Sequence, residues 1–217
     1  MKKAIGILGL AAAALFVGQA QNNTRIFVIG GGKPRLAVPD LRGSGDAQKF
    51  MGAFNQTLWS DLENSGLFDM APKTSMPLFV PQQPSDFQQP PVPGSAPRRG
   101  QPAQPQSGGG RWMQDWANPP LKASHLAFGY TANQGGSLVL MGWLFDLQQP
   151  SPATAQLIGN RYVGTVDEAG ARKVAHEFAA DIIAAAGGQS LYNTHIYFTS
   201  SRTGHKEIWG MDGDGGN

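Results

Sequence analysis

The sequence of 217 residues has no cysteine. Disulfides, thiolate metal sites and a cysteine nucleophile are therefore excluded, and the absence suits an oxidising compartment. Charge is scarce as well, with 17 Lys and Arg against 15 Asp and Glu. Lys2 and Lys3 belong to an expected leader, so the mature chain is close to neutral. No cluster of basic residues provides the electrostatic footprint that nucleic-acid binding needs. The four histidines, His125, His176, His195 and His205, fall in four different elements with no paired metal-ligand spacing such as His-x3-His. Gly-x-Ser-x-Gly is missing too: Gly43-Ser44-Gly45 lacks the leading glycine and Gly188-Gln189-Ser190 the trailing one. Asp61 and Glu63 point to different sides of one helix, which argues against paired acid–base work. No catalytic, cofactor-binding or metal-binding residue is expected, and the chain is read as non-enzymatic.

Two motifs invite a functional reading and fail on context. Gly30-Gly31-Gly32-Lys33 lacks the phosphate-loop spacing and is followed by Pro34 and a strand instead of a helix, so it reads as a turn. Asp212, Asp214 and Asn217 lack the third acidic position, the bidentate Glu and the flanking helices of a calcium loop. They too read as a hairpin turn.

The residues that are present divide the chain into three parts. Met1-Lys2-Lys3, an apolar run from 4 to 17 and Gly18-Gln19-Ala20 have the three regions of a secretory signal peptide in order, with cleavage between Ala20 and Gln21. The run is too short to span a bilayer, and no later stretch is long enough to do so. Residues 21–191 then alternate strand and helix signals. Short β-rich runs lie at 25–29, 35–39 and 67–71. Phe50, Phe54, Leu58 and Leu62 recur at helical spacing, with Met51 and Trp59 widening the face, in a predicted helix over 46–64. Strands at 125–130, 137–147 and 155–163, joined by turns at 133–136 and 148–152, describe an antiparallel meander. Thr165 and Glu168 suggest a capping box ahead of a helix to 186, closed by Gly187 and Gly188. The fold class is α/β, two helices on a mixed, mostly antiparallel sheet. Residues 82–110, mostly Pro, Gln, Gly and Ser with Phe87 and Val92 as the sizeable apolar groups, read as a disordered or polyproline-like surface insertion. The third part, 192–217, holds two alternating strands around a turn at 200–204, a hairpin without a core of its own.

Residues 196–204 (Ile-Tyr-Phe-Thr-Ser-Ser-Arg-Thr-Gly), 206–212 (Lys-Glu-Ile-Trp-Gly-Met-Asp), Asp214-Gly215 and Asn217 resemble the propeller repeat of the TolB family of the bacterial Tol-Pal envelope system. Such half-blades must stack in a ring to bury their faces. Residues 36–45 (Leu-Ala-Val-Pro-Asp-Leu-Arg-Gly-Ser-Gly), 58–68, 143–146 and 167–178 are similar, in order, to that family's amino-terminal domain. The resemblance implies a periplasmic binding protein that contacts a TolA-like inner-membrane protein and a Pal-like lipoprotein, in maintaining the outer membrane and its constriction during division. It also implies that the chain is cut off after the first hairpin of its propeller, so that no Pal-contacting residue can be named. The TolA-binding segment implied is Gln21, Asn22, Asn23, Thr24, Arg25, Ile26 and Phe27, an extended run able to add to a sheet edge. Related repeats also line propellers of serine peptidases, and the amino-terminal part of such an exported peptidase is the alternative reading.

Overall fold

The computed structural model of the chain describes residues 32–90, 107–192 and 194–212. In chain order its main body runs β1 (Arg35–Ala37), β2 (Arg42–Ser44), α1 (Met51–Asn64), β3 (Asp69–Met70), α2 (Met113–Ala117), β4 (His125–Gln134), β5 (Ser137–Asp146), α3 (Pro152–Ala155), β6 (Gln156–Gly164) and α4 (Glu168–Ala185). The path across the sheet is β3-β1-β4-β5-β6, with β2 also paired to β4. Contacts of β1 with β3 and β4, and of β2 with β4, are short and parallel. The long ladders of β4 with β5 and β5 with β6 are antiparallel. The expected α/β class, with two long helices on a mixed sheet whose extended pairings are antiparallel, is the fold observed.

Local chemistry sets the element ends. Between β4 and β5 the loop is Gly135-Gly136, with φ of 60° and 79°, the left-handed pair that a tight hairpin twisted with its strands requires. At the end of α4, Gly187 N donates to Ala184 O and Gly188 N to Ile183 O, the double closure of a Schellman motif. The start of α4 departs from the predicted Thr165–Glu168 box. Asp167 is the cap: its carboxylate accepts from Gly170 N and from Thr165 Oγ1, both at 2.7 Å. Aspartate takes this position because its short carboxylate reaches the free N–H groups of the first turn. Glu168 instead pairs with Arg172 one turn on. The predicted helix over 46–64 is a 3-10 turn at Gly45–Phe50 followed by α1. β4 runs to Gln134, beyond the apolar residues that marked it, because β5 pairs with it to the end. The strand expected at 25–29 lies outside the described residues.

The sheet separates two cores. On one face Leu36, Ala127, Leu140 and Leu144 meet Phe54 and Leu58 of α1 and Val174, Phe178 and Ile182 of α4. Phe178 lies so close that a Cβ on Gly142 would come within 3.0 Å of its ring. On the other face Leu126, Phe128 and Phe145 meet Phe87, Met113, Trp116 and Leu121. Alternation along β4, where Leu126 and Phe128 join one core and Ala127 the other, is the period-2 pattern of a strand covered on both sides.

The second core corrects the reading of 82–110. Phe87 is 9% exposed and its ring centroid lies 5.5 Å from that of Phe128 and 5.6 Å from that of Phe145. Just before it is a 3-10 turn at Pro84–Asp86, and Gln88 N donates to Arg111 O. At the far end the Asp115 carboxylate accepts from Ser107 Oγ, Gly108 N, Gly110 N and Trp112 N, while Trp116 Nε1 donates to Gly110 O. Both ends of the stretch are therefore built into the domain. Average composition concealed them because one buried aromatic and one well-bonded carboxylate are enough to anchor a polar chain. Residues 91–106 lie outside the described residues.

Candidate functional site

The expected cleavage point at Ala20 and Gln21, and the partner-binding run Gln21, Asn22, Asn23, Thr24, Arg25, Ile26 and Phe27, lie outside the described residues. So do Asp214 and Asn217. The positions that carry surface chemistry in the described part are the hairpin, a cleft beside α1 and a histidine–aspartate pair between the long helices.

Strands β7 (His195–Ser200) and β8 (Glu207–Asp212) form a separate antiparallel two-stranded sheet. Its turn explains the spacing read in the sequence. Gly204 has φ 95° and donates its N–H to Ser201 O, a conformation that disfavours any side chain. Arg202 folds back so that its guanidinium lies 3.7 Å from the centroid of Trp209, a cation–π contact, and Thr203 Oγ1 donates to Glu207. Tyr197 is 71% and Ile208 79% exposed. A stripe of large apolar groups on a two-stranded ribbon marks a surface built to be covered.

The cleft, about 890 Å3, lies between α1, the chain after β1 and residues 73–80. Trp59, Met76, Leu78 and Val80 supply its apolar lining. The Lys73 ammonium pairs with Asp40 and sits 4.8 Å from the Trp59 ring centroid. On the α1 side the Asn55 amide accepts from Leu41 N and donates to Leu41 O, taking the part of a neighbouring strand.

His176 and Asp61, which belong to different helices, meet across the α1–α4 contact. Nδ1 of the imidazole lies 2.6 Å from Asp61 Oδ2, with the two side chains 12% and 17% exposed. The ring of Tyr192 stacks on the imidazole. No spacing signal could have found this pair, since its members are 115 residues apart. Elsewhere on α4, Asp181 accepts from Tyr162 OH at 2.6 Å and Asn160 Nδ2 at 2.8 Å, and burial, with Asp181 next, pushes the Tyr162 phenol up. His125 on β4 is buried beside Ser124 Oγ. Burial lowers its pKa to about 4, opposed by the Asp146 carboxylate, so it is neutral at neutral pH. Among the described residues no group of three or more His, Asp or Glu could hold a metal ion. Among them also no helix is long and apolar enough to cross a membrane.

TolB from Acinetobacter baumannii superposes with a TM-score of 0.55 over 86% of this chain and 37% of its own, at 14% identity. In sequence, a TolB homologue of Chlorobium chlorochromatii is 36% identical over 93 residues, 42% of this chain and 20% of the relative. In fold and in part of its sequence the chain is similar to TolB. The Tol-Pal system protein TolB of Syntrophotalea carbinolica agrees, at 28% identity over 116 residues, 49% of this chain and 26% of the relative. The TolB-like chain thus spans a fifth to about a quarter of the length of these curated relatives. No protein-family profile matches it.

Proposed function

We propose that this chain is a periplasmic component of a Tol-Pal envelope system that acts by binding partners and not by catalysis. It bridges a TolA-like inner-membrane protein and a Pal-like lipoprotein, and so supports outer-membrane integrity and constriction during cell division. The observation that carries this reading is the TolB fold extending over 86% of the chain, in agreement with the TolB names of its sequence relatives. Residues 1–20 direct export, and cleavage falls between Ala20 and Gln21. The mature run from Gln21 to Phe27 then contacts the TolA-like partner as an added strand, in which main-chain hydrogen bonds supply affinity and alternate side chains specificity. The β7–β8 hairpin belongs to the propeller that receives the Pal-like lipoprotein, which accounts for its exposed Tyr197 and Ile208. Deleting residues 21–27 and measuring affinity for the carboxy-terminal domain of TolA by calorimetry tests the partner assignment. Loss of at least about tenfold, roughly 1.4 kcal/mol, is expected; unchanged affinity overturns it.

A further inference from the structure

The connector between α4 and β7 returns to the helix pair before it reaches the hairpin. After the Schellman closure, Gly188 sits against Leu67 and Ile183 closely enough that a Cβ would fall 2.3 Å from Leu67 Cδ1. Tyr192 then lays its ring on His176, with centroids 5.1 Å apart and planes 15° from parallel. His176 in turn is held by Asp61 of α1 at 2.6 Å. The charged groups around this stack are Asp61 from α1 and, from α4, Lys173 and Glu177, which pair with each other at 3.2 Å. Burial first, then Glu177, raises the Tyr192 phenol, with Lys173 opposing.

We propose that His176 is a proton-dependent clasp that ties the connector of residues 187–192 to the α1–α4 helix pair, and that the clasp tightens when the imidazole is protonated. A neutral imidazole gives Asp61 an ordinary N–H donor and gives Tyr192 an uncharged stacking surface. Protonation converts the first contact into a charge-assisted hydrogen bond and the second into a cation over an aromatic face. Both changes act in the same direction, and Asp61 supplies the opposite charge that a largely buried cation needs. Because β7 begins at His195, three residues beyond Tyr192, the clasp governs how firmly the start of the hairpin is tethered to the domain.

Hydrogen–deuterium exchange of the full chain at pH 5.5 and 7.5, corrected for intrinsic exchange rates, tests this. Peptides covering 187–192 are expected to be about threefold more protected at pH 5.5, the scale of one cation–π contact. His176→Phe keeps a ring under Tyr192 but no proton, and is expected to give equal protection at both pH values. Asp61→Asn is expected to reduce the difference. Equal protection of the wild-type connector at both pH values overturns the proposal, as does a pH dependence that survives in His176→Phe. Peptides from β4 serve as the control. If they lose protection at pH 5.5 together with the connector, the effect follows general destabilisation through His125 and the clasp is refuted.

Discussion

One face of the sheet is covered by two helices of 14 and 18 residues, the other by irregular chain around Phe87 and the five-residue helix α2. Both covers bury large side chains: Phe54 and Phe178 are fully buried on the helical side, as is Trp116 on the irregular side. Regular secondary structure is therefore not what excludes water from a sheet. An irregular segment does it equally well when its backbone groups are satisfied locally, as around Asp115, because a buried unpaired amide costs about 1–3 kcal/mol. The β7–β8 ribbon shows a third condition, a two-stranded sheet that leaves Tyr197 and Ile208 in solvent.

The sharpest test of this comparison is truncation on each face. Trp116→Ala is expected to cost about 3–5 kcal/mol in chemical denaturation, comparable to about 2–5 kcal/mol for Leu58→Ala on the helical face. A cost below about 1 kcal/mol for Trp116→Ala would show the irregular cover to be loosely laid. Next in size is the pH dependence from His125, which by strand alternation shares its side of β4 with Ala127, on the helical face. Its pKa is about 4 in the folded protein against about 6.5 for an ordinary histidine. The unfolded chain thus takes up a proton that the folded one refuses between those values. Stability should fall by up to about 3 kcal/mol as pH drops from about 6.5 to about 4, and not further on this account below that. His125→Gln should flatten the slope in that window; an unchanged slope would assign it to other groups.

Smaller effects separate local chemistry from general rules. Gly170→Ala in α4 places a Cβ 2.1 Å from Thr165 O and should cost about 2 kcal/mol, against the usual benefit of alanine in a helix. Asp115→Asn removes one accepting oxygen from four bonds and should cost about 1–2 kcal/mol, moving the irregular face closer to the uncovered state. Smallest of all, Gly52→Ala in α1 meets nothing within 4 Å and should stabilise by about 0.5–1 kcal/mol. Thermal denaturation of the two glycine variants side by side should show opposite signs; the same sign in both would refute the steric account of Gly170.

Periodic elements were legible because each advertises one face. Phe54, Leu58 and Leu62 repeat at helical spacing and are buried together in α1, and β7 and β8 alternate as a hairpin should. The cover over Phe128 and Phe145 was not legible, since Phe87, Trp116 and Leu121 have no common period and are brought together only by the chain's return. The capping of α4 by Asp167 was missed for a related reason: several oxygen-bearing side chains precede that helix, and only the backbone path selects among them.

The sequence by itself determined the α/β class, the two long helices, the meander and the terminal hairpin, together with the family resemblance that its motifs carry. These rest on interactions between residues near in sequence, where spacing translates directly into geometry. Tertiary structure alone decided the order β3-β1-β4-β5-β6, the second core over Phe128 and the meeting of His176 with Asp61. Those contacts join residues far apart in the chain, and their partners are selected by which faces remain to be buried once the local elements have formed.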